Sequence, residues 1–457
     1  MSGLRTALTA HVLFPLHERA KRHDSVARRR ALERSQWWTP EQLAAHRVRA
    51  LREFLIHIGA HVPYYRKRFA ELGLKPERFG ALAELAAYPL LSRAEIRAEM
   101  RGASEAFRSD VAGPLKRLNT GGSTGEPLVF YVGRDRVSHD VAAKWRATRW
   151  WGVDIGDPEI VVWGSPVELG AQDRMRQWRD KLLRSELLPA FDMSERSLER
   201  YVARIRTLRP AMLFGYPSSL SMIAAFADKR GQPMNDLGIR VAFVTSERLY
   251  DHQRALIERV FGCPVANGYG GRDAGFLAHQ CPAGGMHLTA EDIIVETVDA
   301  QGVPVAPGVS GEIVVTHLAS RDFPFLRYRT GDLGVLDTKR CSCGRGLPLL
   351  SEIQGRTTDF VLAADGTAMH ALALIYVIRD LPGIERYKIV QESRALTRVL
   401  IVPGAQFDAA VRAKIEAGLK QRLGAAVEIR IETVADIPAE RSGKFKYVVS
   451  HVAPVPA

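Results

Sequence analysis

Cysteine is scarce, with four residues in a chain of 457. That is too few for the disulfide framework of a secreted scaffold. No run of ~20 uncharged apolar residues occurs, so the usual signature of a membrane-spanning helix is missing. Met1–Pro15 holds a weak apolar stretch broken by Thr6, Thr9 and His11, without a small-residue cleavage pattern. No signal peptide is read there, and a cytoplasmic location is the default expectation. The Gly-Lys-Ser/Thr ending of a Walker loop is lacking, which excludes that phosphate cradle. No sequence repeat points to a solenoid. Acidic residues are outnumbered, 51 against 64 Lys and Arg, for a net charge of +13. Much of the surplus lies early: residues 1–70 carry 14 Lys/Arg and 5 Asp/Glu. No basic stripe is interleaved with aromatics, so a specific nucleic-acid partner is not expected. The basic N-terminal region is read as a solvated, Arg-rich helical face, with peripheral contact to an anionic surface as the alternative.

What is present describes a soluble-type globular core. The length allows two to four domains. Hydrophobic residues make up 46% and charged residues 25%, both ordinary for a packed interior. Residues 1–35 have a helical pattern. Thr39-Pro40-Glu41-Gln42 opens a helix to about Ile58, with Thr as cap, Pro at the first position and Gln at the third. Ser92 caps a further helix. From Arg134 onward, helical stretches alternate with short apolar strands at Glu159–Trp163, Ala211–Phe214, Val241–Thr245 and Val265–Asn267. That rhythm implies parallel βαβ units with both sheet faces covered. From Met286 strands follow one another, which suggests a barrel-like subdomain at about 286–358. Beyond it lies a compact α+β module close to a ferredoxin-like order. The expected class is therefore α/β: a large unit, 1–358, built on mainly parallel sheets, and a small lid domain, 359–457.

The densest chemistry-bearing stretch is Thr120-Gly121-Gly122-Ser123-Thr124-Gly125-Glu126-Pro127. Glycines let the backbone wrap closely around a ligand, and successive N–H groups with hydroxyls make a concave site for anionic oxygens. A plain polar hairpin turn is the competing reading. Gly268-Tyr269-Gly270-Gly271-Arg272-Asp273 follows a strand, and so stands where open α/β sheets bind ligands. An aromatic there can stack on a purine, and a carboxylate can hold Mg²⁺ beside phosphate oxygens. Arg327-Tyr328-Arg329-Thr330-Gly331-Asp332, Gly355-Arg356 and Ala439–Lys446 complete the set. Cysteine is concentrated: Cys281-x₅-His287 and Cys341-x-Cys343 supply three thiolates and an imidazole, enough for a closed tetrahedral zinc site of structural type, with His279 as an alternative ligand.

Taken together and in this order, these motifs resemble the adenylate-forming superfamily, on the branch of the phenylacetate–CoA ligases and CapK. The resemblance implies ATP-dependent activation of a carboxylic acid as acyl-AMP, with Mg²⁺, then transfer to a thiol, most often that of CoA. A carrier protein or an amine is the alternative acceptor, and a nucleotide-binding or membrane-surface protein without catalysis is the rival. CapK-like relatives imply a link to surface polysaccharide. By the same resemblance, Thr120 to Gly125 bind phosphate, Tyr269 and Gly270 hold the adenine side, and Asp332 accepts from the ribose hydroxyls. Arg356 is a cation for the ribose–phosphate side and Asp359 the hinge. Lys444 is the catalytic cation, with Lys446 as competitor. Similar Cys/His pairs occur on that branch. The acid is expected near Trp163, Gly164, Tyr216 and Pro217. Two departures stand out: Glu126 and Leu128 occupy positions where a Lys is usual, and Asp273 replaces a Glu.

Overall fold

A computed structural model describes residues 2–100, 105–120, 128–163, 179–190, 193–356, 360–366, 368–378, 381–438 and 445–452. The chain falls into two compact units, Met1–Ile353 and Gln354–Ala457.

The larger unit is built on a seven-stranded sheet. Strands Ser185–Pro189, Glu159–Trp163, Met212–Gly215, Val241–Thr245 and Val265–Gly271 lie side by side in that order and run parallel. Gly275–Gln280 and Met286–Leu288 extend it antiparallel. Met212–Gly215 and Val241–Thr245 are buried at every position, as continuous apolar strands covered on both faces must be. The helices that cover them are signposted in the sequence. Glu195–Leu208 is capped by Ser194 and presents Leu198, Val202 and Ile205 to the sheet. Pro217–Lys229 starts with proline at its first turn, where the missing N–H costs nothing. The sheet extends further than expected from sequence: Met286–Leu288 belongs to it rather than to the barrel-like part.

A second sheet has four strands in the order Ile293–Val298, Ser310–His317, Tyr328–Leu336 and Leu350–Arg356. Two strands, Lys116–Asn119 and Val129–Val132, pair as an antiparallel hairpin around the glycine-rich loop. The N-terminal region forms Ser2–Leu8, a π-helical segment Thr9–Leu13 and Phe14–Ala20, which run on as one helix Ser2–Ala20, then helices Ser25–Ser35, Pro40–His61 and Pro63–Glu71. Thr39 and Gln42 form the expected reciprocal cap. Helix Ser25–Ser35 has the expected solvated side, with Arg30 and Arg34 exposed, but its other side packs inward: Leu32 is buried, and Arg29 lies 4.4 Å over the Trp145 ring. Ser35 and Arg146 both donate to the buried Glu291 carboxylate, at 2.7 and 2.5 Å.

In the smaller unit, antiparallel strands Ile384–Gln391 and Leu396–Pro403 are flanked by parallel partners Val448–Ser450 and Glu428–Thr433. Helices Leu372–Ile378 and Ala409–Leu423 pack together, the latter capped by Asp408.

Candidate active site

Every parallel strand of the large sheet ends on the same edge, and Trp163, Tyr216, Tyr269 and Asp273 stand there. Trp163 ends one strand and Tyr216 follows another. Their rings stack at 4.3 Å between centroids with planes 24° apart. Tyr216 is buried, and Pro217 begins the helix behind it. On the same edge Glu247 accepts a hydrogen bond from the Ser218 backbone N–H at 3.2 Å. Gly164 lies outside the described residues.

The glycine-rich loop is closed at its base. Thr120 N–H donates to the Leu128 carbonyl at 2.9 Å, and Leu128 N–H donates to Thr120 Oγ1 at 2.9 Å. Residues 121–127, and with them Gly121, Gly122, Ser123, Thr124 and Gly125, lie outside the described residues. Gly121-Gly122-Ser123-Thr124-Gly125 also has the Gly-x-Ser-x-Gly spacing of a nucleophile elbow. An elbow needs a strand-to-helix turn, whereas this loop joins two antiparallel strands.

Tyr269 and Asp273 stand at the end of strand Val265–Gly271. Gly270 is required between them, because a Cβ there would come within 2.1 Å of the Gly275 carbonyl oxygen. Asp332 and Tyr328 lie on strand Tyr328–Leu336 of the other sheet, so the Tyr-Arg-Thr-Gly-Asp motif is a strand and not a turn. The two motifs exchange hydrogen bonds reciprocally. Tyr269 donates from its hydroxyl to Asp332 Oδ2 at 2.8 Å, and Tyr328 donates to Asp273 Oδ2 at 2.6 Å. Burial, reinforced by the facing carboxylates, pushes both phenols well above their ordinary range, so they remain donors at any physiological pH.

Sequence reasoning missed the arginines that complete this centre. Arg93, at the start of the helix capped by Ser92, donates to the Tyr328 hydroxyl at 2.8 Å and to the Thr330 carbonyl at 3.0 Å, and reaches Asp273 Oδ2 at 3.4 Å. Arg136 donates to the backbone carbonyls of Arg272 and Asp273 at 3.2 and 3.4 Å and to Ser320 Oγ at 2.9 Å. Arg272 donates to the Asn119 carbonyl at 3.4 Å, linking the Asp273 turn to the base of the glycine-rich loop. The only sequence signal was the helix cap at Ser92. The backbone bridge between Leu91 and Tyr328 that carries Arg93 to the site joins distant segments.

Arg356 ends strand Leu350–Arg356, and its side chain lies outside the described residues. Asp359 and Lys444 lie outside them as well. A cavity of about 670 Å³ opens at the opposite edge of the sheet, lined by Phe14, Lys116, Lys144, Glu159 and Met212 among others, away from these motifs.

The four metal-ligand residues converge. One ligand atom from each of Cys281, His287, Cys341 and Cys343 lies within 4.8 Å of all the others. Cys281 Sγ is 3.6 Å from Cys341 Sγ, and Cys343 Sγ is 3.2 Å from His287 Nε2. Zinc bonds of ~2.3 Å to sulfur and ~2.1 Å to nitrogen put tetrahedral ligand atoms about 3.6–3.8 Å apart, so the donor set fits with shifts of a few tenths of an ångström. His287 Nδ1 faces the Leu347 carbonyl at 3.3 Å, the kind of outer contact that aims the other nitrogen at a metal. A Cβ on Gly285 would stand 2.6 Å from Cys341 Sγ, so glycine is needed beside the cluster. Burial lowers His287 to about 4, leaving a neutral imidazole, and raises Cys281 to about 11. Burial acts against Cys343 too, but hydrogen bonds from Arg345 hold its thiol below the ordinary value. His279, opposite His287 in the ladder, is not among the four; its ring packs on Phe276 and Phe243.

Residues 361–451 match the CapK C-terminal domain family. Phenylacetate–coenzyme A ligase of Thermus thermophilus is 27% identical over 360 residues, which cover 77% of this chain and 78% of that protein. Protein CapK of Staphylococcus aureus is 24% identical over 349 residues, covering 74% and 75%. Over most of its length the chain is similar to phenylacetate–CoA ligases and to CapK. Among solved structures, 2-hydroxyisobutyryl-CoA ligase in its postadenylation state with 2-HIB-AMP shares the fold at a TM-score of 0.75 and 20% identity, covering 92% of this chain and 91% of that one. On this fold, the edge that carries Tyr269 and Asp273, with Asp332 reaching it from the second sheet, is the carboxyl edge of the parallel strands, where ligands of open α/β proteins sit.

Proposed function

We propose that the chain is an ATP-dependent acid–thiol ligase that forms an acyl-AMP and passes the acyl group to a thiol, CoA being the acceptor that the relatives' names indicate. The observation that carries this reading is the reciprocal Tyr269–Asp332 and Tyr328–Asp273 clasp at the sheet edge. It fixes two carboxylates of different duty beside Arg272, which donates to Asn119 at the base of the glycine-rich loop. Asp332 accepts from the ribose hydroxyls. Asp273 would hold Mg²⁺ beside the phosphates; Tyr328 and Arg93 fix its Oδ2, and the Ala274 N–H donates to its Oδ1. Mg²⁺ supplies charge neutralisation for the departing pyrophosphate. Arg272 and Arg93 provide the positive charge that Glu126 and Leu128 do not. The stacked Trp163 and Tyr216 form an aromatic wall for an apolar or aryl acid. Lys444 is the catalytic cation for the adenylation transition state, where charge accumulates on the α-phosphate and the leaving oxygen. Cys281, His287, Cys341 and Cys343 hold a structural Zn²⁺ with no open position.

Pyrophosphate release from ATP over a panel of aliphatic and aryl acids, with and without CoA, tests the reading. An acid-dependent burst followed by thiol-dependent turnover is expected, and Lys444→Ala should slow the burst about 10²–10³-fold. Folded protein that binds ATP yet releases no pyrophosphate with any acid would make it a nucleotide-binding protein instead. Discharge to an amine or a carrier thiol, but not to CoA, would change the acceptor alone.

A further inference from the structure

Helix Ser2–Ala20 is unusual in what it leaves uncovered. Leu4, Leu8, Val12 and Leu16 recur at four-residue intervals along one face, and are 81%, 51%, 45% and 56% exposed. A stripe of that kind ordinarily faces a core. Here the core face is a different one. Ala10 and Phe14 are buried, and the Phe14 ring meets Trp145 edge-on at 5.1 Å. Thr6 Oγ1 donates to Asp157 Oδ1 at 2.9 Å, and the buried Glu18 accepts from Ser25. The helix is thus fixed to the protein along one side while four aliphatic side chains stand in solvent on another.

The charge around the stripe selects its occupant. Between residues 2 and 22 the cations are Arg5, Arg19, Lys21 and Arg22, all exposed, and the single acid is the buried Glu18. The outward side therefore presents aliphatic and cationic groups and no carboxylate. A second copy docked symmetrically on this face would bring the same cations against one another, since a two-fold contact pairs a patch with itself. A bilayer rich in anionic lipid matches both features: acyl chains take the Leu and Val side chains, and headgroup phosphates take Arg and Lys. No described helix is long and apolar enough to cross a membrane, so the contact lies in the interface plane.

We propose that helix Ser2–Ala20 docks the protein on an anionic membrane surface through Leu4, Leu8, Val12 and Leu16. This inference does not depend on the acyl-activating reading.

Co-sedimentation of the full chain with lipid vesicles tests it. Vesicles of phosphatidylcholine with about a third phosphatidylglycerol should retain the protein at ~0.1 M salt, while pure phosphatidylcholine retains little, and ~0.5 M salt should weaken binding several-fold. Leu8→Glu and Leu16→Glu should each cut binding about tenfold or more. Replacing Arg5, Arg19, Lys21 and Arg22 with Gln one at a time should cost about fivefold per charge. These positions are exposed, so circular dichroism and thermal unfolding should not change. Three results would overturn the proposal: no retention on anionic vesicles, equal retention by Leu8→Glu, or sedimentation equilibrium showing a dimer that Leu8→Glu splits. The last would assign the stripe to a second copy.

Discussion

Replacing Tyr328 with Phe isolates half of the clasp. The ring is 1% exposed and stacks on Phe325 at 5.0 Å, so Phe keeps the packing and removes only the hydroxyl. Lost with it are a 2.6 Å bond to the Asp273 carboxylate and a 2.8 Å bond from Arg93 Nε. A hydrogen bond to a charged group contributes about 1.5–3 kcal/mol, and orphaning a buried partner adds to the loss. Arg93 opposes part of this, because it also reaches Asp273 Oδ2 at 3.4 Å and the Thr330 carbonyl at 3.0 Å. We expect Tyr328→Phe to destabilise the large unit by about 1.5–3 kcal/mol. A double-mutant cycle with Asp273→Asn should return most of that figure as coupling. The readout is convenient: all seven tryptophans lie within residues 1–353, so their fluorescence in urea follows the large unit without the smaller one. Pyrophosphate release should fall about tenfold at low Mg²⁺ and recover in part at high Mg²⁺, as expected when a metal-binding carboxylate loses its anchor. A coupling below about 0.5 kcal/mol, within the usual additivity of independent sites, would show that the two residues do not interact as described.

Asp332→Ala should raise the Michaelis constant for ATP by roughly thirty- to a thousandfold, or ~2–4 kcal/mol, and leave that for the acid nearly unchanged. Unaltered ATP kinetics would remove Asp332 from the ribose. Purified protein should contain about one zinc per chain by elemental analysis, and Cys341→Ser should lower metal content and stability together; folded, active protein without zinc would refute this. The His317 imidazole is buried beside Arg136, and burial, followed by that cation, holds it well below its ordinary value of 6.5. The unfolded chain then binds the proton first, so stability is full above pH ~6.5 and falls by up to ~1.4 kcal/mol per pH unit below it. His317→Gln should flatten that slope in urea titrations, and an unchanged slope would show that His317 does not contribute.

Much of the fold was legible because local signals agreed with it. Pro40 after Thr39, Ser92 before Arg93, Ser194 before Glu195 and Asp408 before Ala409 each mark a helix start that the hydrogen bonds reproduce. The apolar run at Val241–Thr245 reads as a parallel strand because both faces are covered. Where sequence reasoning fell short, the determining contact was remote. Met286–Leu288 joins the large sheet through pairing with Gly275–Gln280. Helix Ser25–Ser35 looks solvated by its charge, yet its inner side is paired within the protein: the buried Arg29 pairs with Glu33 at 2.5 Å, and Ser35 with the buried Glu291 at 2.7 Å. No local pattern distinguishes such a paired arginine from an exposed one. The motifs Gly268–Asp273 and Arg327–Leu333 were visible, but their mutual geometry was not. Tyr269 is 63 residues from Asp332, and Asp273 is 55 from Tyr328.

Under the proposed function, that geometry offsets the shorter carboxylate at position 273. In isolation Asp in place of Glu withdraws a metal ligand by roughly one bond. Here Asp273 is not presented by its own loop alone. Arg136 holds the backbone carbonyls of Arg272 and Asp273 from a helix, and Tyr328 grips the carboxylate from the second sheet. Arg136 is in turn paired with Asp140 at 3.0 Å, so the cation beneath the turn is neutralised locally. Each motif thus supplies the tyrosine that fixes the other's aspartate, and the two sheets cannot shift at this edge without breaking both bonds. The distance between Asp273 and Asp332 is set by the join between sheets rather than by side-chain length within a loop. Under the proposed function, that rigid spacing suits a ligand with separate ribose and phosphate ends, since both carboxylates are in place before it binds.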